Sequence, residues 1–140
     1  MARRGPSGSK SRADAIYRAE LEALFFGGWF INLEDTRRYL RWLVRTKFWR
    51  GRCAVRTVEL EYARTEHSTS VIRNGIGYMH IGQARLCEQF VNHEAAHFIA
   101  PAAGHGPLFV IALVELTGFT LGNWFEQRLR HALEEEGIKV

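Results

Sequence analysis

The feature that constrains this chain most is a pair of histidines four residues apart, His93 and His97, with Glu94 directly after the first. Apolar side chains precede the pair at helical spacing, and Pro101 follows it, so a helix over residues 83–100 is predicted. Residues four apart on a helix lie one turn above each other. Both imidazoles can then bind one metal ion from the same side, which is the arrangement of H-E-x-x-H zinc sites.

Glu94 is offset by one residue from the first histidine, so its carboxylate would lie beside the metal ion rather than bind it. There it can accept a proton from zinc-bound water, whose pKa the metal lowers toward neutrality. The alternative is a pair of core histidines without a metal, but burying two imidazoles without partners is costly. The motif therefore predicts catalytic zinc with Glu94 as the general base.

A catalytic zinc ion needs a third protein ligand and keeps a fourth position open. His105 follows the end of the predicted helix, and the flanking Gly104 and Gly106 free the backbone to direct its imidazole. Glu115, on the next predicted helix, has the spacing found in zinc enzymes whose third ligand is a glutamate. We expect His105 to be the ligand, with Glu115 as the alternative ligand or as a partner of one.

The segments around the motif predict an α+β fold. Alternating apolar and polar residues predict a strand over 53–62, and Asn74-Gly75 predicts a two-residue hairpin turn between strands at 69–73 and 76–81. Further helices are expected at residues 14–24, 34–49, 107–117 and 123–136. We therefore expect a small sheet packed on the motif helix, with two C-terminal helices covering the site.

Length and composition predict one domain behind a basic tail. Residues 1–12 are rich in Gly, Ser, Pro and Arg, so we expect a disordered tail, followed by a single domain at 13–140 in this chain of 140 residues. No apolar run reaches the length of a membrane span, and no signal peptide is indicated. The two cysteines form no CxxC pair, which favours a reducing compartment. A cytoplasmic protein is expected.

The helix predicted at residues 34–49 carries a second candidate surface. Arg38, Arg41 and Arg45 share one of its faces, and the chain has a formal net charge of +4. One interpretation is a solvated helix face with the tryptophans packed inward. The other is a surface that binds nucleic acid or an acidic protein, assisted by the basic N-terminal tail.

Two further motifs carry a family resemblance. The segment Gly104-His105-Gly106-Pro107-x-Phe109 follows the H-E-x-x-H motif, and Leu116-Thr117-Gly118 comes after it. Over roughly residues 78–118 the chain resembles the SprT-like (Spartan-type) zinc metallopeptidases. Residues 14–140 also resemble a small actinobacterial and phage family of proposed metallohydrolases.

The resemblance implies a minimal zincin-like fold, with zinc held by His93, His97 and His105. It also implies peptide-bond hydrolysis with Glu94 as the catalytic residue and protein substrates, which in SprT-like enzymes are often crosslinked to DNA. The two cysteines exclude the four-cysteine zinc ribbon of that family. The alternatives are a zinc-dependent nuclease or amidase, and a non-catalytic DNA-binding or regulatory protein with structural zinc.

In zincin folds an edge strand before the metal helix binds an extended peptide by strand addition. Residues 78–81 are expected to be that edge strand. Tyr78 and His80 point to one face, so one of them is a candidate for polarising the scissile carbonyl or contacting substrate. The alternative is that both are ordinary residues of the sheet surface.

Overall fold

The computed structural model describes residues 9–24, 28–30 and 32–140. Over these residues the chain forms six α-helices and one three-stranded sheet, so the predicted α+β class is confirmed. The chain divides into two compact units. The sheet unit is Gly28–Pro101, and the helical unit comprises Met1–Gly27 with Ala102–Val140. None of the described helices combines the length and apolar character needed to cross a membrane.

The sheet unit contains strands β1 (Val58–Tyr62), β2 (Thr69–Arg73) and β3 (Ile76–Ile81). β3 is the central strand, parallel to β1 and antiparallel to β2. Asn74 and Gly75 join β2 to β3 with φ angles of 52° and 77°. Positive φ at both central positions is what a two-residue type I′ hairpin turn requires, so the predicted hairpin is confirmed.

The central position of β3 corrects one prediction. Residues 78–81 were expected to form an edge strand, but β1 pairs along the side of β3 that the hairpin leaves open. This parallel pairing joins segments that are far apart in the chain, and no local turn signal specifies it. The two edge strands of the sheet are β1 and β2.

Two predicted elements are shorter or broken. β1 begins at Val58 rather than at residue 53, although Cys53 and Val55 are buried. The helix expected at residues 34–49 is two helices, α2 (Leu33–Arg45) and α3 (Lys47–Arg50). Thr46 separates them because its backbone is extended and its hydroxyl accepts a hydrogen bond from the backbone N–H of Trp49, which caps α3.

The motif helix, α4 (Glu88–Ile99), begins five residues later than predicted. Residues Gln83–Arg85 form a 3₁₀ turn, and Cys87 pairs with Trp29 in an isolated β-bridge, so the backbone becomes helical only afterwards. α4 packs on the sheet closely enough that a Cβ on Gly77 would lie 2.9 Å from Phe98. The predicted packing of sheet on motif helix is confirmed.

The helical unit contains α1 (Ser9–Leu24), α5 (Pro107–Leu121) and α6 (Asn123–Glu135). α1 begins at Ser9, so the prediction of a disordered tail over residues 1–12 is wrong for its last four residues; residues 1–8 lie outside the described part. α1 packs on α6, and its Arg18 Nε donates to Glu136 at 2.9 Å. That hydrogen bond raises the pKa of Arg18.

Pro107 lies in the first turn of α5, as predicted, but α5 continues past the expected end at residue 117 to Leu121. Gly118 therefore lies inside the helix and does not end it. A Cβ at this position would overlap the side chain of Glu126 on α6, so glycine here allows the two helices to pack closely. Gly122, with φ of 101°, makes the turn between the two helices. Asn123, expected as the cap of the last helix, is instead its first residue.

Candidate metal centre

α4 supplies two imidazoles on one face, as the four-residue spacing predicts. His93 is fully buried and His97 is half-buried. Their ring centroids lie 5.2 Å apart with planes inclined at 69°. Stacked on successive turns of a rigid helix, the two rings are a preformed pair of nitrogen donors.

His105 joins this pair. Each of the three histidines offers a ring nitrogen, and these nitrogens all lie within 4.8 Å of one another, close enough to bind a metal ion. Three imidazoles are a ligand set found in catalytic zinc sites. Neutral imidazoles suit zinc, although they also bind copper, iron and nickel. The donor set therefore fits the predicted zinc ion.

The backbone at His105 is shaped by its neighbours in the helical unit. Gly104 has φ of 56°, a conformation that favours glycine, and the N–H of Gly106 donates to the carbonyl of Ala103 at 2.8 Å. Arg12 of α1 donates from Nε to the backbone carbonyl of His105 at 2.6 Å. The imidazole of His105 also lies against Phe109, with ring centroids 5.0 Å apart.

Glu94 is buried beside the histidine pair, with a side-chain exposure of only 4%. The hydroxyl of Ser70 lies 3.0 Å from Glu94 Oε1 and 3.0 Å from its backbone oxygen. The second carboxylate oxygen lies 3.9 Å from Nε2 of His93. One carboxylate oxygen thus contacts the sheet through Ser70, while the other lies on the side of His93.

Sequence analysis did not find Ser70. Ser70 is paired with Met79 in the β2–β3 register, so both side chains lie on the sheet face that packs against α4. The hairpin turn at Asn74-Gly75 fixes that register and could have identified the face of Ser70. Its contact with Glu94, however, depends on how α4 lies across the sheet.

Tyr78 and His80 point to the same face, as predicted, but that face is opposite to the one that α4 covers. Met79 and its neighbours Gly77 and Ile81 are buried on the α4 side. Arg73 lies over the Tyr78 ring at 4.7 Å, and Nε2 of His80 is 3.6 Å from a carboxylate oxygen of Glu61. The sheet separates both side chains from α4, so the structure does not bring them to the histidine cluster.

Glu115 lies on α5 and is half-buried. The metal-ligand cluster found among the described residues consists of the three histidines and does not include Glu115. Which of His105 and Glu115 would be the third ligand of the predicted zinc ion stays a prediction. A role for Glu115 beside one of the ligands stays a prediction.

The buried polar contacts of α4 include two more that sequence analysis missed. Asn92, fully buried and adjacent to His93, accepts a hydrogen bond from the Tyr39 hydroxyl of α2. The Cys53 thiol lies 3.2 Å from the carbonyl oxygen of Phe98, and burial raises its pKa. Cys53 and Cys87 are both buried and are not joined by a disulfide. The expected cytoplasmic location stays a prediction.

No family model matches this chain, and searches of curated proteins and of solved structures found no match either. The resemblance to SprT-like metallopeptidases therefore stays a prediction that rests on the motifs. The histidine cluster is a separate observation, since it comes from the coordinates of His93, His97 and His105.

The basic surface predicted on α2 is a groove beside β1, with a volume of about 310 Å³. Its lining includes four arginines, which we call the arginine groove: Arg37, Arg41, Arg45 and Arg56. Arg38, named in the prediction, is not among the lining residues and instead pairs with Asp35 and Glu34. The guanidinium of Arg41 donates to Glu34 and lowers the pKa of that carboxyl. Trp49 is buried, as the interpretation of a solvated helix face expects, whereas Trp42 is about half exposed.

Proposed function

We propose that this chain is a zinc-dependent hydrolase that cleaves peptide bonds. The observation that carries the proposal is the convergence of three histidine nitrogens beside the buried carboxylate of Glu94. Three protein ligands with one open position are typical of catalytic zinc, whereas structural zinc usually has four protein ligands. The cluster among the described residues has three members, which favours the catalytic interpretation.

When bound, the zinc ion would polarise the substrate carbonyl and supply a water molecule of near-neutral pKa. Glu94 accepts the proton of the attacking water and then donates it to the leaving nitrogen. Ser70 keeps the carboxylate of Glu94 in place by holding Oε1. Burial of this carboxylate limits competing hydrogen bonds from solvent, so its proton transfers are directed to the bound substrate.

We place the peptide substrate along the outer edge of β2. Arg73 and Ile76 flank the two-residue turn and therefore form a hydrogen-bonded pair. Hydrogen-bonded and non-hydrogen-bonded pairs alternate along an antiparallel ladder, so the backbone N–H and C=O groups of Ser70 and Ile72 point away from β3. A peptide added to this edge would run beside the residue that holds Glu94. The outer edge of β1 is less suitable, because Arg37 donates to the carbonyl of Leu60 there at 3.0 Å.

Incubation of the zinc-loaded protein with an unfolded protein and, separately, with RNA tests the reaction class. We expect new peptide termini by mass spectrometry, their loss on chelation and their return when zinc is restored, with the RNA left intact. Cleavage of RNA alone would instead identify a nuclease. If zinc binds but neither polymer is cleaved, the peptidase proposal fails and a structural or regulatory zinc site becomes the better account.

A nucleic-acid partner is a second proposal, carried by the arginine groove. Three of its arginines recur every four residues along α2, and Arg56 adds a fourth cation from the segment before β1. The apolar lining side chains of Leu40, Val44 and Val58 lie between these cations. Arg37 and Arg41 also lie near Glu34, so phosphates of a single strand would compete with that carboxylate for their guanidinium groups, whereas no ion pair is found for Arg45 or Arg56 among the described residues.

Replacing Arg41, Arg45 and Arg56 together by glutamine should weaken the binding of a single-stranded oligonucleotide. Removing three phosphate contacts should reduce the slope of log K against log salt by about 2. Fluorescence polarisation over a salt series measures both effects. The matched control is Arg38→Gln, which removes a cation from the same helix outside the groove and should change the slope little. Equal slopes in the triple variant and wild type, or no binding by wild type, would contradict the proposal.

A further inference from the structure

The third metal ligand differs from the other two in how its backbone is held. His93 and His97 belong to α4, whose hydrogen bonds fix their positions. His105 lies between α4 and α5, in a segment where the flanking residues Gly104 and Gly106 allow many backbone conformations. A ligand on such a segment binds a metal ion tightly only if other contacts restrict it to the binding conformation.

α1 supplies such contacts. Arg12 donates from Nε to the backbone carbonyl of His105 at 2.6 Å, and the two residues are 93 positions apart in the chain. A guanidinium donor makes this a charge-assisted hydrogen bond, which is stronger than one between neutral groups. The ring of Tyr17, also on α1, lies 6.3 Å from the His105 ring between centroids, inclined at 57°.

α1 is itself anchored by contacts that do not involve His105. Ala15, Ile16 and Ala19 are buried in the helical unit, where α1 packs on α6. Arg18 pairs with Glu136 next to the end of α6. Loss of the Arg12 side chain should therefore leave α1 in place and remove only the restraint on His105.

Resting on the proposed function, we propose that α1 positions the third metal ligand, with Arg12 as the positioning residue. Arg12 fixes the backbone of His105, and Tyr17 and Phe109 limit the orientations of its ring. The apparent dissociation constant of a ligand rises in inverse proportion to the competent fraction of the protein. If the free segment is competent only about one tenth of the time, zinc affinity falls about tenfold without Arg12.

Zinc affinity of Arg12→Ala, Arg12→Lys and Arg18→Ala, measured by competition with a chromophoric chelator, tests this inference. We expect Arg12→Ala to bind zinc about tenfold more weakly than wild type, and Arg12→Lys to recover part of the loss because lysine can also donate to the carbonyl. Arg18→Ala is the matched control. It removes the same side chain and a long-range hydrogen bond from the same helix, so it should leave zinc affinity unchanged.

Thermal unfolding of the metal-free variants separates positioning from general stability. Both variants should lower the midpoint only slightly, because the buried side chains of α1 still anchor the helix, and only Arg12→Ala should weaken zinc binding. Equal zinc affinity in Arg12→Ala and wild type would overturn the positioning role and leave the hydrolase proposal standing. The positioning role would also be overturned if both variants lost zinc affinity in proportion to the decrease in their unfolding midpoints. Absence of zinc binding by wild type would overturn this inference together with the proposed function.

Discussion

Replacement of Glu94 by glutamine is expected to lower kcat for peptide hydrolysis by about 10³-fold and to leave zinc affinity unchanged. A positioned general base contributes about 10²–10⁴-fold, and the loss expected here corresponds to about 4 kcal/mol of transition-state stabilisation. The amide has nearly the same shape as the carboxylate, and its oxygen can still accept the hydrogen bond from Ser70. It cannot accept the proton of the attacking water, so chemistry should fail while the site stays intact.

The control for this variant is Glu88→Gln, the same chemical change on the same helix. Glu88 is half-buried in the first turn of α4 and is not part of the histidine cluster, so its replacement should leave kcat unchanged. Burial raises the pKa of its carboxyl, so ionisation costs more in the folded than in the unfolded chain. At pH values above the pKa that Glu88 has in the unfolded chain, this extra cost of ionisation lowers the free energy of unfolding. Glutamine does not ionise, so Glu88→Gln should not lose stability from the loss of this charge. Retained turnover in Glu94→Gln would refute the role assigned to Glu94.

Replacement of His105 by alanine is expected to abolish zinc retention, whereas replacement of Glu115 should preserve it. Loss of a residue that only hydrogen-bonds a metal ligand lowers metal affinity by up to about 100-fold. Loss of one of three ligands should lower zinc affinity by more than that. Native mass spectrometry of protein purified without added metal measures the occupancy directly. We expect a zinc-loaded wild type, a zinc-loaded Glu115→Ala variant and a metal-free His105→Ala variant.

The same variants should differ in thermal stability, because a ligand that binds only the folded state stabilises it. Zinc at 100 times its dissociation constant adds about 2.7 kcal/mol, which raises the midpoint by about 9 °C for a chain of this length. His131→Ala is the matched control, since His131 is exposed on α6 and lies near Glu135. It should show the full shift with zinc, and His105→Ala should show none. Zinc lost from Glu115→Ala but kept by His105→Ala would reverse the ligand assignment.

Several local features could be predicted because their causes lie within a few residues. The spacing of His93 and His97 predicts one helical face, since residues four apart always share a face. Asn74-Gly75 predicts its hairpin turn, since both residues tolerate positive φ. Pro107 predicts the start of α5, since its missing N–H is not needed in the first turn.

Predictions failed where a local pattern has more than one structural outcome. The apolar pattern from residue 53 predicts a strand, but Cys53 and Val55 are buried in a segment that precedes β1 and is not part of the sheet. The amphipathic pattern across residues 34–49 is compatible with one helix or two. The Thr46 cap decides between them because its hydroxyl can satisfy the first N–H groups of a new helix.

The sequence by itself determined that His93 and His97 share one helical face with Glu94 beside them, because helix periodicity is a local property. It left His105 and Glu115 as candidates for the third ligand, and the coordinates group His105 with the pair. Only the tertiary structure decided that β3 is central, that Ser70 holds Glu94, and that Arg12 binds the carbonyl of His105. Ser70 and Glu94 are 24 residues apart in the chain, and Arg12 and His105 are 93 residues apart. Such contacts depend on strand register and helix packing, which arise from the whole core rather than from any short motif.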